Sequence, residues 1–402
     1  MRAHDGWIVR VRPRCASMTA LQWRVLASLA LTYAHPQIEL TRLGNVQLRG
    51  VSEETLALLR SHLIAAELVP EDEDADLAPA VHCTPFYNAN DPTHELAQSL
   101  CAAAMALLSP RAMQSMGLPA LPGKFGLLVD DDQRNLHHIS ADLRLWQLAD
   151  GGYGLALGDC GGHYQFSTAE QVVEASVQVA RWFARERMAI AGKVPTRLKD
   201  LLVSQPLNAP CLKEEMLHLT TSGAMSLVPP GKTEQGWVLG VPMGRIDAAA
   251  MQKLASELPE GTEIRITPWR SLLVVGSNAL ALIDPLEAEH WITSSTDARL
   301  RVSACTGSPR CTQALVPAQD MALQCASHVS DGQHLHISGC GKLCALSSDA
   351  TSVMFASTHT SGAVLLNVCS ASQLDQPAMP IPYQSWSVAP TELQQHLHDL
   401  PV

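Results

Sequence analysis

Gly6-Trp7-Ile8-Val9 begins a segment near the start of the chain, and a similar opening, Gly236-Trp237-Val238-Leu239, recurs about 230 residues later. In each copy the opening is followed by an amphipathic segment with a 3.6-residue apolar period, and then by a segment of alternating apolar residues. These segments are Met18–Ala30 and Ile38–Thr41 in the first copy, and Ile246–Ala255 and Ile264–Thr267 in the second. The matched order of strand, helix and strand predicts an internal duplication, whose halves can pair about a pseudo-two-fold axis with a ligand between them.

Length and composition bound the domain organisation. The chain has 402 residues, of which 47% are apolar and 17% charged, and this predicts several compact units of α/β or α+β type. The formal net charge of −11 argues against a nucleic-acid or membrane-surface role. Residues 1–50 nevertheless hold seven arginines against only Asp5 and Glu39. This local excess suggests a site for a small polyanion, with solvated surface arginines as the alternative.

The remaining features of the whole sequence concern the cellular compartment of the protein. No run of residues approaches the ~18 consecutive apolar residues of a membrane helix, and the N-terminal residues form no apolar signal segment. We therefore expect a cytoplasmic protein. In that compartment the eleven cysteines are expected to be thiols or metal ligands rather than disulfides.

Two cysteine pairs carry the strongest chemical signal. They are Cys305-Thr-Gly-Ser-Pro-Arg-Cys311 and Cys340-Gly-Lys-Leu-Cys344. Four thiolates are what a 4Fe–4S cluster requires, and neighbouring glycines allow backbone N–H groups to approach the sulfur atoms. The five-residue gap in the first pair fits a closed zinc site poorly, because zinc pairs are usually separated by two to four residues. Zinc and unliganded thiols remain the alternatives on spacing alone.

The sequence around these cysteines resembles the cluster signature of the sulfite and nitrite reductases. The resemblance continues along the chain in Val9–Pro13, Leu40–Gly50 and Leu121–Gly126. It implies a 4Fe–4S cluster on Cys305, Cys311, Cys340 and Cys344, with Cys344 as the bridge to sirohaem iron in members that carry sirohaem.

The same resemblance implies an α+β fold of duplicated ferredoxin-like half-domains plus two sulfite/nitrite-reductase-like α/β domains about a pseudo-two-fold axis. The acidic stretch Glu71–Asp76 and the turn Pro229–Gly231 mark two boundaries. The expected units are half-domain 1 (1–77), α/β domain 1 (78–225), half-domain 2 (226–287), the cluster-binding α/β domain 2 (288–372) and a C-terminal tail (373–402).

The resemblance also bears on the reaction. Sirohaem reductases resemble one another in a cage of two arginines and two lysines over the iron. Here Arg12 matches one arginine and Lys124 one lysine, whereas the other positions fall on Gly126 and on Ala80–Cys83. Because positioned positive charge stabilises a developing anion, the incomplete cage disfavours sulfite or nitrite reduction.

The remaining pattern is most similar to a monooxygenase branch of the superfamily that acts in aerobic cobalamin biosynthesis. It implies O2-dependent hydroxylation of the metal-free tetrapyrrole precorrin-3A with γ-lactone formation. The alternatives are a sirohaem-dependent sulfite or nitrite reductase, and a cluster protein that only transfers electrons. No dinucleotide fingerprint is visible, so NADH is expected to act through a separate reductase as the external electron donor.

Several polar residues are candidates for binding the carboxylates of a macrocycle, because arginine forks suit bidentate carboxylate contacts. They are Arg12, Arg42, Gln47, Arg49, Lys124 and Arg270. In family members the corresponding arginine lies one position later, where this chain has Leu43. Because neighbouring residues of a strand point to opposite faces, Arg42 is expected to face away from the ligand unless a bulge re-aims it. His334 and His336 could ligate a mononuclear non-haem iron, although a buried structural role is the simpler reading. The sequence identifies no catalytic residue.

Overall fold

The computed structural model describes residues 2–41, 43–88, 90–131, 136, 139–158, 162–190, 192, 194–204, 212, 217–218, 228–276, 289–346, 349–376 and 378–382. Within these ranges the chain forms four β-sheets with helices packed against them. None of the helices in the described ranges is long and apolar enough to cross a membrane.

Two five-stranded sheets belong to the duplicated half-domains. The first contains β1 (Arg2–Ala3), β2 (Gly6–Val11), β5 (Val46–Val51), β4 (Gln37–Leu40) and β14 (Arg245–Asp247) in that order. The second contains β12 (Gly231–Lys232), β13 (Gly236–Gly240), β16 (Ser271–Val275), β15 (Glu263–Ile266) and β3 (Ser17–Thr19). The repeated openings of the sequence are therefore β2 and β13, in equivalent places of the two sheets.

The other two sheets belong to the α/β domains. One has the order β11 (Leu217–His218), β10 (Gly162–Phe166), β9 (Tyr153–Leu157), β8 (Leu143–Gln147), β7 (Gly126–Val129) and β6 (Ala80–Cys83). The other has the order β17 (Val302–Ala304), β18 (Leu335–Ser338), β19 (Ser352–Thr358), β20 (Val364–Ser370) and β21 (Met379–Pro382). In each, the first three strands in sequence are parallel and the later ones antiparallel. The segment expected to be a tail thus contributes β21 to the last sheet.

The helices complete the layers. They are α1 (Ala20–Tyr33), α2 (Glu53–Ala65), α3 (Glu73–Asp76), α4 (Pro92–Leu107), α5 (Pro110–Ser115), α6 (Ala169–Met188), α7 (Leu198–Ser204), α8 (Ala248–Glu257) and α9 (Ala318–Cys325). Helix α1 begins with a capping box, in which the Thr19 hydroxyl accepts from the Gln22 N–H and the Gln22 side chain accepts from the Thr19 N–H. Asp247 caps α8 at the equivalent place. The duplication therefore extends to the helix starts.

A short strand is exchanged between the half-domains. Strand β3 leaves the first half and pairs with β15, so that Met18 lies opposite Ile264. Strand β14 leaves the second half and pairs with β4, so that Ile246 lies opposite Ile38. Each sheet is thus completed by the other half, a feature that strand-and-helix periodicity did not predict.

Helices α1 and α8 pack against each other over the two exchanged sheets and form one shared core. Trp23 lies at its centre with no exposed surface. Its indole N–H donates to the Ile264 carbonyl at 3.1 Å, which satisfies the polar atom of a buried tryptophan. The indole therefore joins α1 of one half to β15 of the other.

Replacing this tryptophan tests how strongly the halves depend on each other. We expect Trp23→Ala to lower the free energy of unfolding by about 3–5 kcal/mol, the usual range for removing a large aromatic side chain from a core. Leu21→Ala, on the same helix but 39% exposed, is the matched control and should cost less than about 1 kcal/mol. Urea unfolding of both variants measures the difference, and equal losses would contradict the shared-core interpretation.

Candidate functional site

The cysteine pairs lie at one edge of the last sheet. Cys305 directly follows β17, and Cys340 and Cys344 follow β18. Because β17 and β18 are parallel neighbours, their carboxyl ends meet at the same edge. The Cys305 N–H donates to the Ile337 carbonyl at 3.1 Å, which continues the strand pairing up to the first cysteine.

The two cysteine loops pack closely around Gly339. The Gly339 N–H donates to the Cys305 sulfur at 3.1 Å, and its carbonyl accepts from the Leu315 N–H at 2.8 Å. A Cβ at position 339 would approach the Ala314 Cβ to 2.6 Å, a distance that real side chains do not reach. A residue without a side chain is therefore needed for this sulfur to receive its backbone hydrogen bond.

The donor set at this edge fits a cluster better than a buried thiol core. Cys305, Cys311 and Cys340 are half-buried and Cys344 is exposed, so all four lie in loops rather than in the apolar interior. An N–H donor to a cysteine sulfur is the kind of contact that stabilises a thiolate ligand. Among the described residues, no group of three or more His, Cys, Asp or Glu side chains is arranged to hold a single metal ion. The ligand assignment therefore stays a prediction.

A cavity of about 600 Å³ lies beside the first half-domain. Its walls come from the end of β2, the turn between β4 and β5, the segment that carries α3, and β6; the lining includes Arg12, Leu43, Asn45, Asp76 and His82. Arg12 donates to the Ala78 carbonyl at 3.1 Å and pairs with Asp76 at 3.3 Å. Because the Asp76 side chain is 41% exposed, this ion pair is weak. The guanidinium can therefore exchange Asp76 for another carboxylate.

His82 stands on β6 at the wall of this cavity, within the stretch where the sirohaem reductases would place an arginine. Its Nδ1–H donates to the Leu43 carbonyl at 2.8 Å. Burial lowers the pKa of His82 to about 4, and the Arg12 guanidinium adds to the lowering. The imidazole is therefore neutral near pH 7, so it does not replace the missing cation of the cage.

The remaining carboxylate-binding candidates are spread over the molecule. Arg49 makes two contacts of 3.1 Å with Asp5, and both side chains are about nine-tenths buried, so its charge is already compensated. Gln47 lies in β5 between Arg10 and Glu39 on the neighbouring strands.

Lys124 and Arg270 also lie apart from the cavity. Lys124 is exposed in the turn before β7. Arg270 has a positive φ of 58° and lays its stem over Gly244, where a Cβ would approach the Arg270 side chain to 2.7 Å. Among the described candidates Arg12 alone lines the cavity, while Arg42 lies outside the described residues.

The two histidines of β18 and its approach share one hydroxyl. Ser303 on β17 lies 2.9 Å from His336 Nδ1 and 2.9 Å from His334 Nε2. On its outer side His334 Nδ1 lies 3.5 Å from Asp349. This chain of polar contacts gives partners to His336 Nδ1 and to both ring nitrogens of His334, and it favours the structural reading of the two histidines over a mononuclear iron site.

Sequence reasoning missed an ion pair next to the cysteine loop. Arg310 immediately precedes Cys311 and donates to Glu39 at 2.9 Å and to Gln37 at 3.1 Å. The partners are 271 residues apart, so no periodicity or spacing could have paired them. A second arginine, Arg245 on β14, also donates to Gln37.

Three further cysteines meet behind the cavity. Cys15, Cys83 and Cys101 come from three different elements, and Cys15 exchanges thiol hydrogen bonds with the other two. The bond to Cys15 and burial raise the pKa of Cys101 well above its ordinary value. The Cys15 and Cys101 thiols are therefore protonated at neutral pH, and the cluster acts as a set of small packing groups.

Comparison with known proteins assigns this architecture. The family model "Nitrite/Sulfite reductase ferredoxin-like half domain" matches residues 1–66. The first unit is thus similar to a ferredoxin-like half-domain of nitrite and sulfite reductases. The fold is similar to the structure of the Mycobacterium tuberculosis NirA protein. The match covers 97% of this chain and 79% of the NirA chain, with a TM-score of 0.65 and 17% sequence identity. The predicted fold, with duplicated half-domains and two α/β domains, is confirmed.

A curated relative is similar over most of the chain. Precorrin-3B synthase from Sinorhizobium sp is 26% identical over 361 residues, which are 86% of this chain and 76% of the relative. The resemblance drawn from the cysteine loops and the ligand-facing strands is confirmed by these matches.

The lowered pKa of His82 gives a testable pH dependence. The unfolded chain binds a proton at His82 near its ordinary pKa of 6.5, whereas the folded chain does so only near 4. The contribution of neutral His82 is therefore complete above pH 6.5 and is lost as the pH falls towards 4, by at most about 3 kcal/mol.

His82→Asn keeps a donor for the Leu43 carbonyl but cannot titrate. Its free energy of unfolding, measured by urea at pH 7.5 and pH 5, should fall less than that of the wild-type protein. The exposed His359 provides the control variant, His359→Asn, which should keep the wild-type pH dependence. An unchanged slope in His82→Asn would contradict the assignment.

Proposed function

We propose that this protein is a precorrin-3B synthase, which hydroxylates precorrin-3A with O2 and closes a γ-lactone in aerobic cobalamin biosynthesis. The observation that carries the proposal is the cavity beside Arg12. Its described lining holds two arginines, Arg12 and Arg14, and the neutral His82, but no lysine, where an anion-reducing enzyme of this superfamily would need a full cage of arginines and lysines. Similarity to a precorrin-3B synthase over 86% of the chain supports the same choice.

In this proposal the chain binds and orients a polycarboxylate macrocycle. Arg12 would take one carboxylate of the substrate in place of Asp76, which it holds at 3.3 Å. A charge-assisted hydrogen bond to an arginine gives direction as well as affinity. Neutral His82 would add no competing charge, and the apolar lining from Met18, Leu43 and Met105 would cover the face of the ring.

The four loop cysteines would hold a 4Fe–4S cluster, which supplies electrons one at a time when bound. The chain's own contribution there is the Gly339 N–H, which stabilises negative charge on the Cys305 sulfur at 3.1 Å. O2 is the second substrate, and NADH would deliver electrons through a separate cytoplasmic reductase. The group that activates O2 is left unassigned.

A sirohaem-dependent sulfite or nitrite reductase is the second candidate. The exposed position of Cys344 favours it, because the family resemblance assigns this cysteine the bridge to sirohaem iron. A visible spectrum separates the two functions. Protein purified anaerobically and reconstituted with iron and sulfide should show a broad cluster band without sharp sirohaem bands. Sirohaem bands in protein as purified would return the chain to the reductases.

The ligand assignment gives its own prediction. Cys340→Ser should lose most of the cluster band and of the bound iron and sulfide after reconstitution, because three thiolates hold a 4Fe–4S cluster poorly. Cys325→Ser is the matched control, since Cys325 is a buried thiol of α9 in the same domain. Equal iron content in the two variants would exclude Cys340 as a ligand.

Neutralising either side chain of the Arg12–Asp76 pair should change the affinity for the substrate, in opposite directions for the two residues. Arg12→Gln should weaken binding of a stable metal-free tetrapyrrole polycarboxylate, uroporphyrin III, about 10- to 100-fold, the value of one charge-assisted hydrogen bond of ~1.5–3 kcal/mol. Asp76→Asn should strengthen it by up to about 5-fold, because the exposed pair it removes is worth at most ~1 kcal/mol.

Fluorescence titration of uroporphyrin III measures both effects. Asp72→Asn removes an equal charge from the same acidic segment, but Asp72 pairs with the exposed Arg111 and should leave the affinity unchanged. Tighter binding in both aspartate variants would mean that overall charge, and not the Arg12 contact, governs the affinity.

A further inference from the structure

The junction between the cysteine loop and the first half-domain is built from charged side chains. Arg310 reaches out of its own domain to Glu39 on β4. The two side chains are only 14% and 17% exposed, so their charges act through a medium less screened than bulk water. This pair therefore differs from the exposed ion pairs elsewhere on the surface, which are worth little.

One side-chain amide accepts from two arginines at this junction. Gln37 accepts from both Arg310 and Arg245, and Arg245 also donates to Gln319 on α9. Burial lowers the pKa of Arg310, the Glu39 carboxylate opposes that lowering, and Arg49 adds to it. Arg310 nevertheless stays charged, because a guanidinium loses its proton only at extreme pH.

The pseudo-symmetric junction has the opposite polarity. Strands β4 and β15 are equivalent, and their third residues are Glu39 and Arg265. Arg265 donates to the carbonyls of Pro85 and Tyr87, in the loop that follows β6 as the Cys305–Cys311 loop follows β17. The same strand position thus contacts the equivalent loop in both halves. On the cysteine side the cation, Arg310, lies on the loop, whereas on the other side the cation, Arg265, lies on the strand.

We infer that Arg310 is a positioning residue that seats Cys311 against half-domain 1 and that its charge, balanced by Glu39, sets the reduction potential of the cluster. The inference depends on the cluster of the proposed function. A positive charge one residue from a ligand stabilises the reduced, more negative cluster, while a neighbouring carboxylate has the opposite effect. Arg310 and Glu39 should therefore shift the potential in opposite directions when each is neutralised.

The test is a redox titration of the full-length, reconstituted protein, followed by electron paramagnetic resonance of the reduced cluster. Arg310→Met should shift the midpoint potential to a more negative value and Glu39→Gln to a more positive one. The double variant should return close to the wild-type value. Arg310→Lys retains the charge without the two-pronged contact, so it should keep the potential while changing the shape of the resonance signal.

Arg24 and Glu260 provide a matched control. They form an Arg–Glu pair at 2.8 Å between the two half-domains, but at an exposed place on the helix side of the sheets. Arg24→Met and Glu260→Gln should leave the potential unchanged. If Arg310→Met cannot hold a cluster, that loss supports the positioning role and Glu39→Gln still tests the charge.

The outcomes separate this inference from the proposed function. Clusters in all variants with equal potentials, or shifts of the same sign for Arg310→Met and Glu39→Gln, would overturn the inference while leaving the proposed function intact. Failure of the wild-type protein to assemble a cluster would overturn both. Opposite shifts in a protein that binds no tetrapyrrole would support the inference and count against the proposed function alone.

Discussion

The exchange of β3 and β14 between the half-domains is the constraint on which the rest of the structure depends. Each half contributes a short strand to the sheet of the other, so backbone hydrogen bonds cross the pseudo-two-fold axis in both directions. Helices α1 and α8 then bury their apolar faces on each other, with Trp23 closing the contact to β15. Neither half completes its sheet alone, so the two halves form one central unit with a shared core.

This central unit presents the same strand position to two equivalent loops. On one side Glu39 binds Arg310 beside Cys311, and on the other side Arg265 binds the carbonyls after β6 and stacks on Tyr87 with 3.6 Å between guanidinium and ring. The duplication thus supplies two similar docking places, and single residues give them different chemistry. The side with a cationic loop is the one that carries the predicted cluster ligands.

The cavity beside Arg12 also owes its properties to single charged side chains. The Arg12 guanidinium makes a weak contact with Asp76 and donates to the Ala78 carbonyl, while burial keeps His82 neutral. A site with only Arg12 and the exposed Arg14 as cations among its described lining residues suits a large molecule with peripheral carboxylates better than a small anion that must be surrounded by positive charge. The electrostatics of the cavity therefore support the tetrapyrrole polycarboxylate proposed as its ligand.

The amino-acid sequence alone predicted the duplication, the strand that ends just before Arg12, the strand that carries Gln47, and the grouping of four cysteines into two pairs. The strands and the duplication follow from local periodicity, and the cysteine pairs follow from their spacing and from their resemblance to a family signature. Only the tertiary structure decided that β3 and β14 change partners, that Asp5 neutralises Arg49, and that Arg310 meets Glu39 across 271 residues. Such contacts join side chains from distant segments whose own patterns are satisfied in many arrangements, so they are fixed by packing of the whole chain and leave no local signal.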